Sequence, residues 1–532
     1  MSSIAPLQIL LLALPLLGFP GAFGPSVSSS TPAAPAAPAA TGATAATGAT
    51  GATDAHDEDP PAETPSPKSF RTSHEGTFGG VSLTYDALAE EMLLTNDDGE
   101  AEAMLFSISY LRTDVEDTRE RPVTFLWNGG PGSSSVWLHM GVFGPKRVDV
   151  PSDARDDGAP PYRVIPNPAC MLDATDIVFL DPVGTGFSRA VGEGDPEDFW
   201  GVHQDARSVA RFIRKWISQH DRWNAPKFIG GESYGTTRSA AVVRELEGAF
   251  DDVSLNGVIL VSAILDFSIV VPQPGNEMPY VTQLPTMAAT ARYHGRTGTD
   301  VSIEEFTAAA RHFARTDYIQ ALLQGNALAG EERASVRERL AFFTGLSADY
   351  LERCDLRVRA DRFQKELLRD QGLTVGRLDA RYTGVDLDAA GATPDVDPSF
   401  YGIDGAYTGA VNAFLRGELG VELDRDYTII GGLWSEWDYG LEDNGRGFYF
   451  NVAPYLGRAQ RENSDLHVFV ACGYYDFATP FFGAELSLSR AGVVDERVHY
   501  GYYEAGHMMY VNHASLDALQ ADVRGFIDSC LR

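Results

Sequence analysis

A serine flanked by glycine two residues away on either side, behind a short apolar run and ahead of a helical one, constrains this chain more than any other feature. Gly231-Glu232-Ser233-Tyr234-Gly235 follows Lys227-Phe228-Ile229-Gly230, which reads as a short buried strand. It precedes a stretch from Thr236 to Phe250 in which Ala240, Val243, Leu246 and Phe250 recur at helical spacing. Strand, tight turn, helix is the context in which a G-x-S-x-G turn presents an exposed hydroxyl. A turn that sharp leaves no room for side chains at the flanking positions, and the helix N-terminus behind the serine favours a developing negative charge. Ser233 is therefore the candidate nucleophile. The pentapeptide alone is also compatible with a plain surface turn, so the reading depends on what the rest of the chain supplies.

Four more apolar runs end in loops rich in Gly, Asp and Ser, as expected of a parallel sheet whose carboxyl ends carry a site. Val123 to Trp127 leads into Asn128-Gly129-Gly130-Pro131-Gly132, and Ile177 to Leu180 leads into Asp181-Pro182-Val183-Gly184-Thr185-Gly186. Leu466 to Ala471 leads into Gly473-Tyr474-Tyr475-Asp476, Arg497 to Tyr503 leads into Glu504-Ala505-Gly506-His507, and Leu255 to Val261 is one more buried strand. Serine, aspartate and histidine then occur in the chain order used by α/β-hydrolases. Serine is a poor nucleophile at its own pKa, so His507 would take its proton while Asp476 fixes the imidazole tautomer and stabilises its cation. Taken singly, Asp476 reads as a helix cap and His507 as a turn residue; together they read as a triad with Ser233. His499, within a strand, and His513, at a helix start, read as structural.

The Asn128 to Gly132 loop lacks the lysine that a phosphate cradle needs. A backbone N–H from this loop and that of Tyr234, just after the nucleophile, would instead form an oxyanion hole, the alternative being a tight turn packed on the elbow.

At 532 residues, with 44% hydrophobic and 22% charged residues, the chain is long enough for one large catalytic domain with an insertion. Ile4 to Phe23 is Leu-rich and ends in small residues, so residues 1–24 read as a secretory signal peptide without the usual basic start, the alternative being an uncleaved membrane anchor. Residues 25–68 are Ala, Thr, Pro and Gly-rich and read as a disordered linker. Export implies a secreted or periplasmic location, with no stable membrane insertion after signal removal. With 42 basic against 74 acidic residues the net charge is −32, which argues against nucleic acid and anionic membrane partners. Cys170, Cys354, Cys472 and Cys530 allow one or two disulfides in an exported protein. No spacing resembles a metal site, and the chemistry outlined above calls for no cofactor.

Four separated motifs now resemble those of the serine carboxypeptidases, α/β-hydrolases that remove C-terminal residues from peptides. They are Asn128-Gly129-Gly130-Pro131-Gly132-Ser133-Ser134-Ser135, Asp181-Pro182-Val183-Gly184-Thr185-Gly186-Phe187-Ser188, the Ser233 elbow, and Asp476-Phe477 with Gly506-His507-Met508. The resemblance implies that Gly130 and Tyr234 give the oxyanion N–H groups and that Asn128 and Glu232 grip the substrate's terminal carboxylate. Glu232 would have to be protonated to do so, which burial favours; otherwise it is a structural hydrogen-bonder in the elbow. Two departures stand out. Val142 occupies the place of a second glutamate, and Ser133 the place of a cysteine, so the chain resembles a bacterial-type member of the family. The family's disulfide pattern does not transfer.

The expected architecture is an α/β-hydrolase fold with a central, mostly parallel sheet: core residues 69–265 and 452–532, with a helical cap inserted at 266–451. Helices are expected at Ile303 to Arg315, Glu331 to Phe343 and Ala360 to Arg369, and Trp434, Trp437 and Tyr439 as core aromatics or a pocket lining. The expected activity is serine carboxypeptidase action on peptides with a free C-terminus through an acyl-enzyme on Ser233. An esterase, acyltransferase or aminopeptidase of the same fold, and a catalytically silent binding or scaffold protein, remain alternatives. The sequence leaves oligomeric state and side-chain preference open.

Overall fold

The computed structural model describes residues 66–248, 251–440 and 450–532. The expected signal peptide and nearly all of the expected linker lie outside them. Nine strands in one path form the central sheet: β1 (Ser69–Phe78), β2 (Val81–Thr95), β3 (Ala101–Arg112), β4 (Val123–Trp127), β5 (Asp176–Asp181), β6 (Lys227–Glu232), β7 (Gly257–Val261), β8 (His467–Gly473) and β9 (Val498–Tyr503). Their spatial order is β1-β2-β3-β5-β4-β6-β7-β8-β9, and Arg189–Ala190 adds a short tenth strand beside β3. The six strands from β5 to β9 in that order run parallel, and β1 to β3 extend the sheet antiparallel.

Why these runs make central strands is visible in their burial. VTFLW of β4 and GVILV of β7 are buried at every position, because both faces of the sheet are covered. Alternate side chains supply two separate cores. Phe125, Trp127, Val258, Leu260, Val468 and Val470 pack on one face. Leu126, Ile259, Val261, Phe469 and Ala471 pack on the other.

The first core is closed by α1 (Val202–Gln219) and α2 (Tyr234–Leu246), with Ala206, Val209, Ile213, Trp216 and Ile217 of α1 on one stripe. The second core is closed by the C-terminal helix His513–Cys530 through Leu516, Leu519, Val523 and Ile527.

Between β7 and β8 the chain is mainly helical. Met278–Tyr293, Ile303–Phe313 and Gly330–Thr344 add to the first core, whereas Asp404–Gly417 adds to the second. Element bounds differ slightly from expectation: Ile303–Phe313 passes into a wider π turn at Ala314–Tyr318, and Ala360–Glu366 stops short of Arg369. Trp437 is buried and donates its indole N–H to the Tyr234 hydroxyl at 2.8 Å, so it is a core aromatic.

All four cysteines are free thiols, contrary to the expected disulfides. Cys170 and Cys472 are buried in different cores, and the Cys170 thiol donates to the Phe143 carbonyl at 3.0 Å. Among the described residues no helix is long and apolar enough to cross a membrane, and no His/Cys/Asp/Glu cluster has metal-binding geometry.

Candidate active site

Every sequence-derived site residue lies at or just beyond the carboxyl end of a parallel strand, the edge at which open α/β sheets bind ligands. Ser233 joins β6 to α2 with φ 60 and ψ −129, a left-handed conformation that a non-glycine residue holds only under constraint. Its N–H is tied to the Val261 carbonyl at 3.0 Å. Close approach explains the flanking glycines: a Cβ on Gly235 would lie 2.9 Å from the Trp127 carbonyl oxygen, and one on Gly231 would meet the Gly235 carbonyl.

His507 and Asp476, 31 residues apart, meet through a 2.7 Å contact between Nδ1 and Oδ2. Asp476 is held in turn. Its Oδ1 accepts the backbone N–H groups of Ala478 at 2.8 Å and Thr479 at 3.0 Å, and its Oδ2 accepts the Thr479 hydroxyl at 2.6 Å. Burial pulls the His507 pKa down, but the Asp476 carboxylate and its hydrogen bond outweigh that and leave it raised. Ser233, His507, Asn128, Gly130 and Glu232 all line one cleft of about 530 Å³, counted to its open mouth. Its apolar wall is Trp137, Leu378, Phe400, Ile430 and Met508. Trp434, Trp437 and Tyr439 do not line it.

The N–H groups of Gly130 and Tyr234 have no hydrogen-bond partner among the described residues, which leaves both able to donate to an oxyanion. Close packing fixes their loop, since a Cβ on Gly129 would sit 2.5 Å from the Tyr234 nitrogen. The buried Arg238 guanidinium, paired with Asp205, donates to the Asn128 carbonyl and lies 5.5 Å from the centre of the Tyr234 ring. Asp181 joins the first two motifs by accepting the Ser135 N–H at 2.8 Å, and burial pushes its carboxyl up to about 7.

Glu232 is 2% exposed. Its Oε2 accepts Asn128 Nδ2 at 2.9 Å and the Tyr510 hydroxyl at 2.8 Å. Asn128 is oriented by the Leu138 N–H, which donates to its Oδ1 at 2.9 Å. Burial drives the Glu232 carboxyl up to about 7, against the opposing pull of His507 and the two hydrogen bonds. Below that pH it is a neutral acid with a proton to donate.

Sequence reasoning missed three contributors. Thr479 stands three residues after Asp476, an Asx-type spacing that was readable. Tyr510 stands three residues after His507. The third, Arg377 to Ala380, lies between β7 and β8 and had no sequence signal. This strap accepts the His507 N–H on the Leu378 carbonyl at 2.6 Å and the Phe477 N–H on the Arg377 carbonyl at 3.0 Å. It also accepts the Gly506 N–H on Asp379 Oδ2 at 3.1 Å and donates the Ala380 N–H to the Tyr475 carbonyl at 3.0 Å. His499 stacks on His467 within the sheet, and His513 opens the last helix, both away from the cleft.

A serine carboxypeptidase family model matches residues 96–281. Serine carboxypeptidase-like 29 of Arabidopsis thaliana is 30% identical over 159 residues, 29% of this chain and 31% of that protein. The pheromone-processing carboxypeptidase kex1 of Pyrenophora tritici-repentis is 31% identical over 151 residues, 28% of this chain and 21% of that protein. The chain thus spans about a third or less of the length of these curated relatives. They are plant and fungal proteins, and they give no support to a bacterial type. Among solved structures, Kex1(delta)p, a prohormone-processing carboxypeptidase from Saccharomyces cerevisiae, superposes with a TM-score of 0.51 over 84% of this chain and 90% of that chain, at 14% identity, a likeness of fold. The match at residues 96–281 takes in the Asn128 to Gly132 loop, the Asp181 block and the serine elbow, so this part of the chain is similar to the serine carboxypeptidases, and the chain has an α/β-hydrolase fold.

Proposed function

We propose that this protein is a serine-type carboxypeptidase that releases C-terminal residues from peptides. In this reading Ser233 Oγ attacks the carbonyl of the last peptide bond while His507 Nε2 takes its proton, and Asp476 stabilises the imidazolium that forms. The N–H groups of Gly130 and Tyr234 receive the tetrahedral oxyanion. His507 then protonates the leaving amine, the terminal residue departs, and water resolves the acyl-enzyme by the same route. Asn128 and protonated Glu232 hold the free carboxylate and so select the last bond of the chain.

The observation that carries this reading is the protonatable, buried Glu232 lining the same cleft as Ser233 and His507. A general esterase or acyltransferase has no need of such an acid beside its nucleophile, and an aminopeptidase needs carboxylates that stay charged. The bounds 69–265, 266–451 and 452–532 for core, cap and core, and export through residues 1–24, belong to the same proposal. The departures at Ser133 and Val142 are the support for a bacterial-type variant of the family.

The test is release of free amino acid from N-blocked dipeptides and from their C-terminal amides across pH. The free acid is expected to be cleaved at least about 100-fold faster than the amide, because the amide leaves the site's donors mismatched. Ser233→Ala is expected to lower kcat by about 10⁶. Equal cleavage of acid and amide would refute the carboxylate site, and cleavage surviving in Ser233→Ala would refute the nucleophile.

A further inference from the structure

Two donors converge on a single oxygen of Glu232. Asn128 Nδ2 and the Tyr510 hydroxyl both reach Oε2, at 2.9 and 2.8 Å, and Oε1 has no partner among the described residues while Glu232 lines the cleft. An oxygen that accepts two hydrogen bonds is a poor place for a proton, so the neutral acid carries its proton on Oε1, toward the cleft. We propose that Tyr510 is a positioning residue for substrate selection, its phenol holding Glu232 as a single, fixed donor to the terminal carboxylate of a peptide. The proposal rests on the carboxypeptidase reading of this cleft and says how that specificity is built.

The packing around Tyr510 supports this. Its ring is 2% exposed and lies on Gly141, where a Cβ would meet it. Gly141 lies in the turn His139–Phe143, and its lack of a side chain leaves the space the Tyr510 ring fills. The acidic and basic groups around Glu232 are few: His507 and Asp476 from the two triad loops, with the Tyr510 and Tyr407 phenols. Among the described residues no second carboxylic acid is hydrogen-bonded to it, so its proton is not shared. Burial and the adjacent carboxyl also keep the Tyr510 phenol well above its ordinary pKa, and it donates throughout the working range.

A donor to the ionised form favours ionisation, so removing it raises the pH at which the acid loses its proton. In Tyr510→Phe the alkaline limb of kcat/KM for a free-acid dipeptide is expected to move up by about one pH unit. An ethyl ester with no free carboxylate reports His507 in the same variant, and its profile is expected to shift less than that of the peptide. Infrared titration of the protonated carboxyl band that disappears in Glu232→Gln follows the same proton without any turnover, and the band is expected to persist to higher pH in Tyr510→Phe. An unmoved band and limb, or a downward shift, would overturn the role of Tyr510. A band that moves in a protein that cleaves no dipeptide would leave Tyr510 tied to Glu232 and refute the carboxypeptidase reading instead.

Discussion

Asp476 is held by more than its histidine. The Thr479 hydroxyl donates to Oδ2 at 2.6 Å and lies 3.1 Å from His507 Nδ1, so it sits at the junction of the acid and the ring. Thr479→Val removes that hydroxyl at nearly constant volume. It is expected to lower kcat about tenfold with KM little changed, for peptide and ester alike, since it loosens the ring without touching substrate binding. Steady-state kinetics on the two substrates checks this. At this scale the sequence was legible wherever a residue sat in a patterned loop: Ser233, Asp476, His507, Asn128 and Glu232 all come to one place. Tyr510 and Arg238 were not legible, because a lone tyrosine or arginine in a helical or turn context has many uses and its partner is far away in the chain.

Among elements, the parallel strands were readable because covered sheets need apolar residues at every position, as β4 and β7 have. The antiparallel β1 to β3 were not anticipated. Up to its buried last residue, Phe78, β1 alternates between exposed and half-exposed positions and reads SFRTSHEGTF, with hardly an apolar side chain to mark it as a strand. The strap at 377–380 escaped notice for another reason, since three of its four contacts, all but that of the Asp379 carboxylate, are made by backbone groups, which leave no trace in residue type. Its fit against the histidine loop is tight: a Cβ on Gly506 would lie 2.5 Å from Asp379 Cα. Gly506→Ala is expected to cost about 1–3 kcal/mol of stability through overpacking and to lower kcat by about 10- to 100-fold through displacement of His507. Urea unfolding and kcat measured on the same preparation test both parts, and a stable variant with full kcat would remove the strap from any role in placing the ring.

For the molecule as a whole, burying Glu232 couples stability to pH. Its folded pKa of about 7 lies above the ordinary value of 4.5, so its contribution is fully present below pH 4.5 and is lost as pH rises through 7. Glu232→Gln carries no proton to lose. From pH 5 to pH 8 the wild type is expected to lose on the order of 3 kcal/mol relative to this variant, read from denaturant midpoints at each pH. A constant difference would mean that Glu232 titrates near its unfolded value. Under the proposed carboxypeptidase reading, the same acid is expected to limit the pH range for peptides from the alkaline side, and His507, which must be neutral to accept a proton, from the acid side, as a kcat/KM profile would show. The strap also constrains what the region between β7 and β8 is free to become. Residues 377–380 are hydrogen-bonded to the loops that carry Asp476 and His507, so this part of the region between β7 and β8 is fixed to both. Diversification of this scaffold would therefore proceed through single substitutions at wall positions such as Phe400 and Ile430, because wholesale replacement of the region between β7 and β8 would take the histidine's anchor with it.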